Sequence, residues 1–166
     1  MKTLLKLTTV LFVTLLLSCG GKEEKKEEGF TYQKKAPAEK SVTKKTDKVP
    51  PSKRVDLTTK GVGPITSVTL DVEINSAMAA KGAEVFKTMC TACHRPDKKF
   101  IGPAPKGIME RRTPEWIMNM ILDPEGMVKN DPLAKELLIE FNGSPMANQN
   151  LTEEEARAIL EYYRTL

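Results

Sequence analysis

From Ser76 to the C-terminus, apolar residues recur at the three- and four-residue spacing of helices that bury one face. Ser76 can cap a first helix reaching about Thr91, with Met78, Val85, Phe86 and Met89 among its apolar residues. Thr113-Pro114-Glu115 predicts the start of a second: a capping hydroxyl, a proline that needs no N–H partner, and an acid in the first turn. Asp131-Pro132 opens a third, through Leu137, Leu138 and Phe141, stopping near Gly143. Thr152 with Glu155 forms a capping box for the last helix, which presents Ala156, Ile159, Tyr162 and Tyr163. Four helices with long polar loops over residues 76–166 predict a small all-α core.

Ahead of Ser76 the period changes. Val68, Leu70, Val72 and Ile74 alternate with Thr69, Asp71 and Glu73, which is a strand signal, yet no second strand follows. Residues 55–75 are therefore expected to be an extended segment flanking the domain, with two readings of the strip: a wrap over the helices, or an edge that pairs with a partner. Residues 19–54 mix Lys, Glu, Thr and Pro without an apolar period and read as a disordered tether. Residues 7–17 are an apolar run behind Lys2 and Lys6, too short to span a bilayer and of signal-peptide length. Residues 1–18 are thus a targeting segment.

Charge sharpens this division. Residues 19–75 carry 12 Lys/Arg against 9 Asp/Glu, and residues 76–166 carry 12 against 13. Neither part is basic enough to favour nucleic acid as a partner. Leu16-Leu17-Ser18-Cys19-Gly20 closes the apolar run and resembles the bacterial lipobox. The resemblance implies cleavage before Cys19, a lipid on its sulfur, and a membrane-anchored protein facing the periplasm; an ordinary secretory signal with a spare cysteine is the alternative. The chain has 3 cysteines, so lipidation of Cys19 leaves only Cys90 and Cys93. An exported domain without a structural disulfide needs another source of stability, which a buried covalent cofactor supplies.

Those two cysteines stand in Cys90-Thr91-Ala92-Cys93-His94, a C-x-x-C-H. Two thiols at this spacing can each add to a vinyl group of one porphyrin, and the next residue then brings its imidazole to the iron. A structural zinc site needs four ligands, and His94 is the chain's 1 histidine. A thioredoxin-type dithiol expects a βαβ setting, which is missing. One covalent haem c is the predicted cofactor.

From Ser76 to Leu166 the chain resembles the single-haem, class I bacterial cytochrome c family. The resemblance lies in Gly82 and Phe86 before the motif, in Gly102-Pro103-Ala104-Pro105-Lys106-Gly107 after it (Pro105 standing where the family has leucine), and in Ser144-Pro145-Met146 ahead of a capped final helix. It implies a few helices around one haem, and electron transfer. It also implies that the Pro103 carbonyl accepts the Nδ1–H of His94. Trp116 is either a donor to a haem propionate or a core aromatic. Arg111 and Arg112 either offset propionate charge or are solvated, and Tyr162 packs near Gly82 and Phe86.

The second axial ligand follows from inventory. A second histidine does not exist in the chain. Met78 and Met89 read as core, Met118 and Met120 share one helix, and Met109 and Met127 remain open in loops. Met146 has the best setting, in a loop just before the last helix, and matches the family position. Iron held by His94 and Met146 is closed to other ligands, which suits an electron carrier and not an enzyme. The donor and acceptor would be redox proteins of a respiratory chain. Residues 110–116 and 145–149 resemble cytochromes of nitrogen-oxide respiration, implying a terminal reductase as one partner. Two alternatives stand beside this: a gas- or peroxide-responsive haem protein with an open distal site, and a haem subunit of a larger respiratory complex.

Overall fold

The computed structural model describes residues 49–166. The targeting segment, Cys19 and the tether up to residue 48 lie outside the described residues. Five α-helices follow one another: α1 (Ser76–Met89), α2 (Pro114–Leu122), α3 (Pro124–Asn130), α4 (Pro132–Glu140) and α5 (Glu153–Tyr163), with a 3₁₀ turn at Ile108–Glu110. No strand is formed among the described residues. The described residues form an all-α fold, as the helical periodicity predicts.

The helix starts obey local chemistry. Thr113, Asp123 and Asp131 each cap a helix whose first turn opens on proline, and their side chains accept from Trp116, Gly126 and Ala134 N–H. Thr152 and Glu155 form the reciprocal capping box of α5. Two expectations shift. Asn75, not Ser76, caps α1, accepting from Met78 N–H, and α1 stops at Met89. A fifth helix, α3, occupies what was read as a loop; its signal, Asp123-Pro124-Glu125, has the same form as Thr113-Pro114-Glu115.

The core is built where α5 crosses α1 and α2. Gly82 makes the α1–α5 crossing close: a Cβ there would collide with the Ala158 carbonyl. Beside it the Phe86 ring lies 5.5 Å from Tyr162 and 5.9 Å from Tyr163, tilted and edge-on respectively. Ile117, Met118, Ile121, Ile159 and Leu160 fill the centre.

After a turn at residues 50–54, residues 55–75 run over these helices, with a single backbone bridge between Asp56 and Arg112, just ahead of α2. The wrap is held by side chains. Asn119, 1% exposed, accepts from Ile65 N–H at 2.9 Å and donates to the Lys60 and Ile65 carbonyls. Arg164 donates to the Asp71 and Val72 carbonyls, and Thr113 to Thr59. Val68 and Leu70 pack on the core while Val72 stands free. Residues 49–54, expected to belong to the tether, are instead fastened to the helical unit: the Pro51 and Arg54 carbonyls accept from Arg112.

Candidate functional site

Below α1 the chain turns sharply. Cys90 ends the helix with its N–H on the Phe86 carbonyl, and the N–H groups of Cys93 and His94 both return to the Cys90 carbonyl at 3.1 and 2.9 Å. The C-x-x-C-H motif is therefore a tight turn that continues the helix, and it brings Cys90, Cys93 and His94 to one groove. The following loop is pinned to it, with Gly102 N–H on the Cys93 carbonyl at 2.9 Å.

His94 is oriented by that loop. Its Nδ1 lies 2.8 Å from the Pro103 carbonyl oxygen. A carbonyl can only accept, so Nδ1 is the donor of this bond and Nε2 is the nitrogen left for a metal. Gly102 lets the loop approach the ring, since a Cβ at that position would sit 2.5 Å from His94 Cε1. Pro105, where the family pattern has leucine, is buried in the same loop.

The groove walls are mostly apolar. Met89, Ile101, Pro103, Ile108, Trp116 and Met120 line it from α1, the loop and α2. Leu137, Leu138 and Phe141 line it from α4, and Pro145 and Met146 from the loop before α5. Burial pushes the Cys90 thiol up to about 11, with the neighbouring Cys93 adding to the rise. Among the described residues no group of three or more His, Cys, Asp or Glu could hold a metal ion by itself.

The donors present suit a covalent haem. Two thiols and an imidazole come from one turn, a thioether sulfur comes from the loop before α5, and all border the same mostly apolar groove. Of the methionines weighed as distal ligand, Met146 lines the groove. Met127 does not: it is 0% exposed in α3, and its sulfur accepts from Val62 N–H at 3.1 Å. Met89, read as core, is 37% exposed on the groove wall.

Trp116 lines the groove, its indole N–H donating to Asp131 Oδ1 at 3.3 Å. One further expectation changes. Arg112 is not solvated. It is 3% exposed, with its guanidinium over the Trp116 ring at 5.2 Å, and burial lowers its pKa from the usual arginine value. Arg111 also borders the groove and donates to the Gly107 and Lys106 carbonyls. Sequence reasoning passed over Met120, whose helix was identified without its groove face, and Ser52, for which no local pattern gives a signal.

Comparison with known proteins agrees with this geometry. The cytochrome c family model matches residues 79–166. Among solved structures, a cytochrome c from Rhodothermus marinus is 48% identical with a TM-score of 0.60, over 62% of this chain and 88% of that one. An engineered form of that protein, Rma TDE, is 47% identical with a TM-score of 0.60, over 62% and 89%. The same engineered cytochrome bound to a carbene intermediate is 47% identical with a TM-score of 0.58, over 62% and 88%. No curated protein matches.

Proposed function

This chain belongs to the cytochrome c family, and on that premise we propose that it is a lipid-anchored carrier of single electrons between redox proteins outside the cytoplasm. Covalent haem c is its cofactor, and it supplies an iron that alternates between Fe(III) and Fe(II). The observation that carries the reading is the groove, where Cys90, Cys93 and His94 share apolar walls with Met146.

The chain's own residues account for the rest. Cys90 and Cys93 would hold the porphyrin through thioethers. His94, turned by the Pro103 carbonyl, would offer Nε2 to the iron. Met146 would offer a neutral, soft sulfur, a donor that favours Fe(II) and raises the potential. With His94 and Met146 both bound, a change of redox state would need no ligand exchange. The groove's apolar side chains would limit the access of water, while Cys93, Met89 and Ile101 of its lining remain exposed. Lys87, Lys98, Lys99 and Lys106, also exposed, border this exposed lining in the sequence and suit a small, transient encounter with a redox partner. The lipid anchor rests on Cys19, and a terminal reductase of nitrogen-oxide respiration is the acceptor class the sequence resemblance suggests.

The test is the distal ligand. The oxidised protein should show the weak far-red charge-transfer band of a methionine sulfur on ferric iron, and the reduced protein should resist carbon monoxide. Met146→Ala should abolish the band, lower the potential and admit carbon monoxide, whereas Met127→Ala should leave the band in place. Ready carbon monoxide binding by the unaltered protein at neutral pH would replace the carrier by a gas-responsive haem protein.

A further inference from the structure

The extended segment ahead of α1 lies outside the residues matched by the family model, yet it contributes Ser52 to the groove wall. We propose that the turn at residues 50–54 is a positioning latch for Met146: gripped between Arg112 and Glu140, it fixes the end of α4 from which the methionine loop departs. The inference rests on Met146 as the distal ligand.

The turn is self-closed, with the N–H groups of Lys53 and Arg54 both on the Pro50 carbonyl at 2.8 and 3.0 Å. On one side it presents the Pro51 and Arg54 carbonyls to the buried Arg112 guanidinium, which donates to Pro51 at 2.6 Å and also to its neighbour Arg111 at 2.7 Å. On the other side it grips Glu140 twice. Ser52 N–H donates to Oε2 at 2.7 Å and Ser52 Oγ to Oε1 at 2.5 Å. Hydrogen bonds to a carboxylate are the strong kind, and a pair of them fixes orientation as well as distance. The nearby Arg54–Glu136 pair, 2.7 Å apart with side chains 41% and 45% exposed, adds little.

Glu140 is the last residue of α4, whose main helical neighbour is α3. On its other flank Leu137, Leu138 and Phe141 line the groove. The chain then leaves the helix through two left-handed residues, Asn142 (φ 58°) and Gly143 (φ 73°), tied back by Gly143 N–H to Leu138 at 2.8 Å and Ser144 N–H to Phe141 at 3.1 Å. This closed exit carries any movement of the α4 terminus directly to Pro145 and Met146. Beyond Met146, the next side-chain tie to a helix is Asn148 Nδ2 on the Leu122 carbonyl, 3.2 Å away. The grip on Glu140 is thus the upstream anchor of the methionine. Releasing it should raise the fraction of molecules whose methionine is off the iron, and a competing ligand's apparent affinity rises in proportion to that fraction.

The experiment titrates the haem-loaded, oxidised full chain with imidazole at neutral pH and follows loss of the far-red band, with thermal unfolding measured alongside. Glu140→Ala should bind imidazole about tenfold more tightly than the unaltered protein, less than two hydrogen bonds to a charged group are worth because only part of their loss reaches the methionine loop. Ser52→Ala, which keeps the backbone bond, should shift it less, and Glu140→Gln, which keeps one acceptor oxygen, should recover part of the effect. Glu136→Ala should change nothing. Unaltered imidazole affinity in Glu140→Ala overturns the latch, whatever happens to thermal stability. Should Glu140→Ala fail to load haem, Ser52→Ala decides: tighter binding supports the latch and unaltered binding overturns it. If Met146→Ala leaves the band in place, the ligand assignment fails and the latch with it. If Met146→Ala removes the band while the Glu140 and Ser52 variants behave as the unaltered protein, the latch alone fails.

Discussion

At Glu161 three donors converge on a carboxylate that is 1% exposed: Asn75 N–H at 2.8 Å, Arg157 Nη1 at 2.6 Å and Arg164 Nη1 at 2.7 Å. Burial by itself would raise its pKa. The bonds from Arg157 and Asn75 and the two guanidinium charges outweigh that, so the net shift is downward. A carboxyl depressed on folding contributes stability that is present above its unfolded pKa and lost as the pH falls through the folded one. Glu161→Gln should therefore cost about 1–3 kcal/mol at pH 7 by leaving two arginines short of a partner. The gap between variant and unaltered protein should narrow below about pH 4, the unfolded carboxyl range. Denaturant unfolding at both pH values measures this, and a gap independent of pH would show that the charge is not what Glu161 contributes.

Between elements, the decisive contact is the crossing of α1 and α5. Alanine in place of a mid-helix glycine ordinarily stabilises by about 0.5–1 kcal/mol. At Gly82 the added Cβ meets the backbone of Ala158, which cannot rotate away as a flexible side chain would. Gly82→Ala should therefore destabilise by about 1–3 kcal/mol despite its better helix propensity. The sign of the change, read by thermal unfolding of the haem-loaded protein, distinguishes steric conflict from propensity. The caps show the opposite kind of control. Thr113, Asp123, Asp131 and Thr152 act through N–H groups within their own first turn, which is why each helix start is legible from a few neighbouring residues.

At the scale of the whole molecule, the helical unit, its extended wrap and the residues ahead of them divide the work. No helix among the described residues is long and apolar enough to cross a membrane. Under the proposed anchoring, attachment falls to acyl chains on Cys19, each buried methylene contributing about 0.8 kcal/mol. Cys19→Ser should move the protein from the membrane to the soluble fraction while leaving the haem spectrum unchanged. A Cys19→Ser protein that still sediments with membranes would point to a different attachment.

Local chemistry and short spacings were enough to read the helical class, the capped starts of α2, α4 and α5, and the covalent cofactor, because each rests on groups a few residues apart. Cys90, Cys93 and His94 share one turn of the chain, and their donor set names the group they hold. Tertiary structure decided whatever depends on residues distant in sequence. Met127 and Met146 both read as loop methionines in the sequence, and only the fold puts one in α3 with its sulfur accepting from Val62 N–H and the other on the groove. The Asp131 carboxylate beside the Trp116 indole N–H lies fifteen residues further along the chain, and only the fold brings the two together. Residues 49–54 have the composition of a tether, yet burial of Arg112 demands carbonyl partners, and that turn provides them. The alternating strip through Val68 and Leu70 met no second strand, so its backbone formed no ladder and its N–H and carbonyl groups turned to the Glu115 and Arg164 side chains instead. Periodicity records which face of a segment is apolar. Which surface covers that face, and which buried polar group needs a partner, is settled only when distant segments meet.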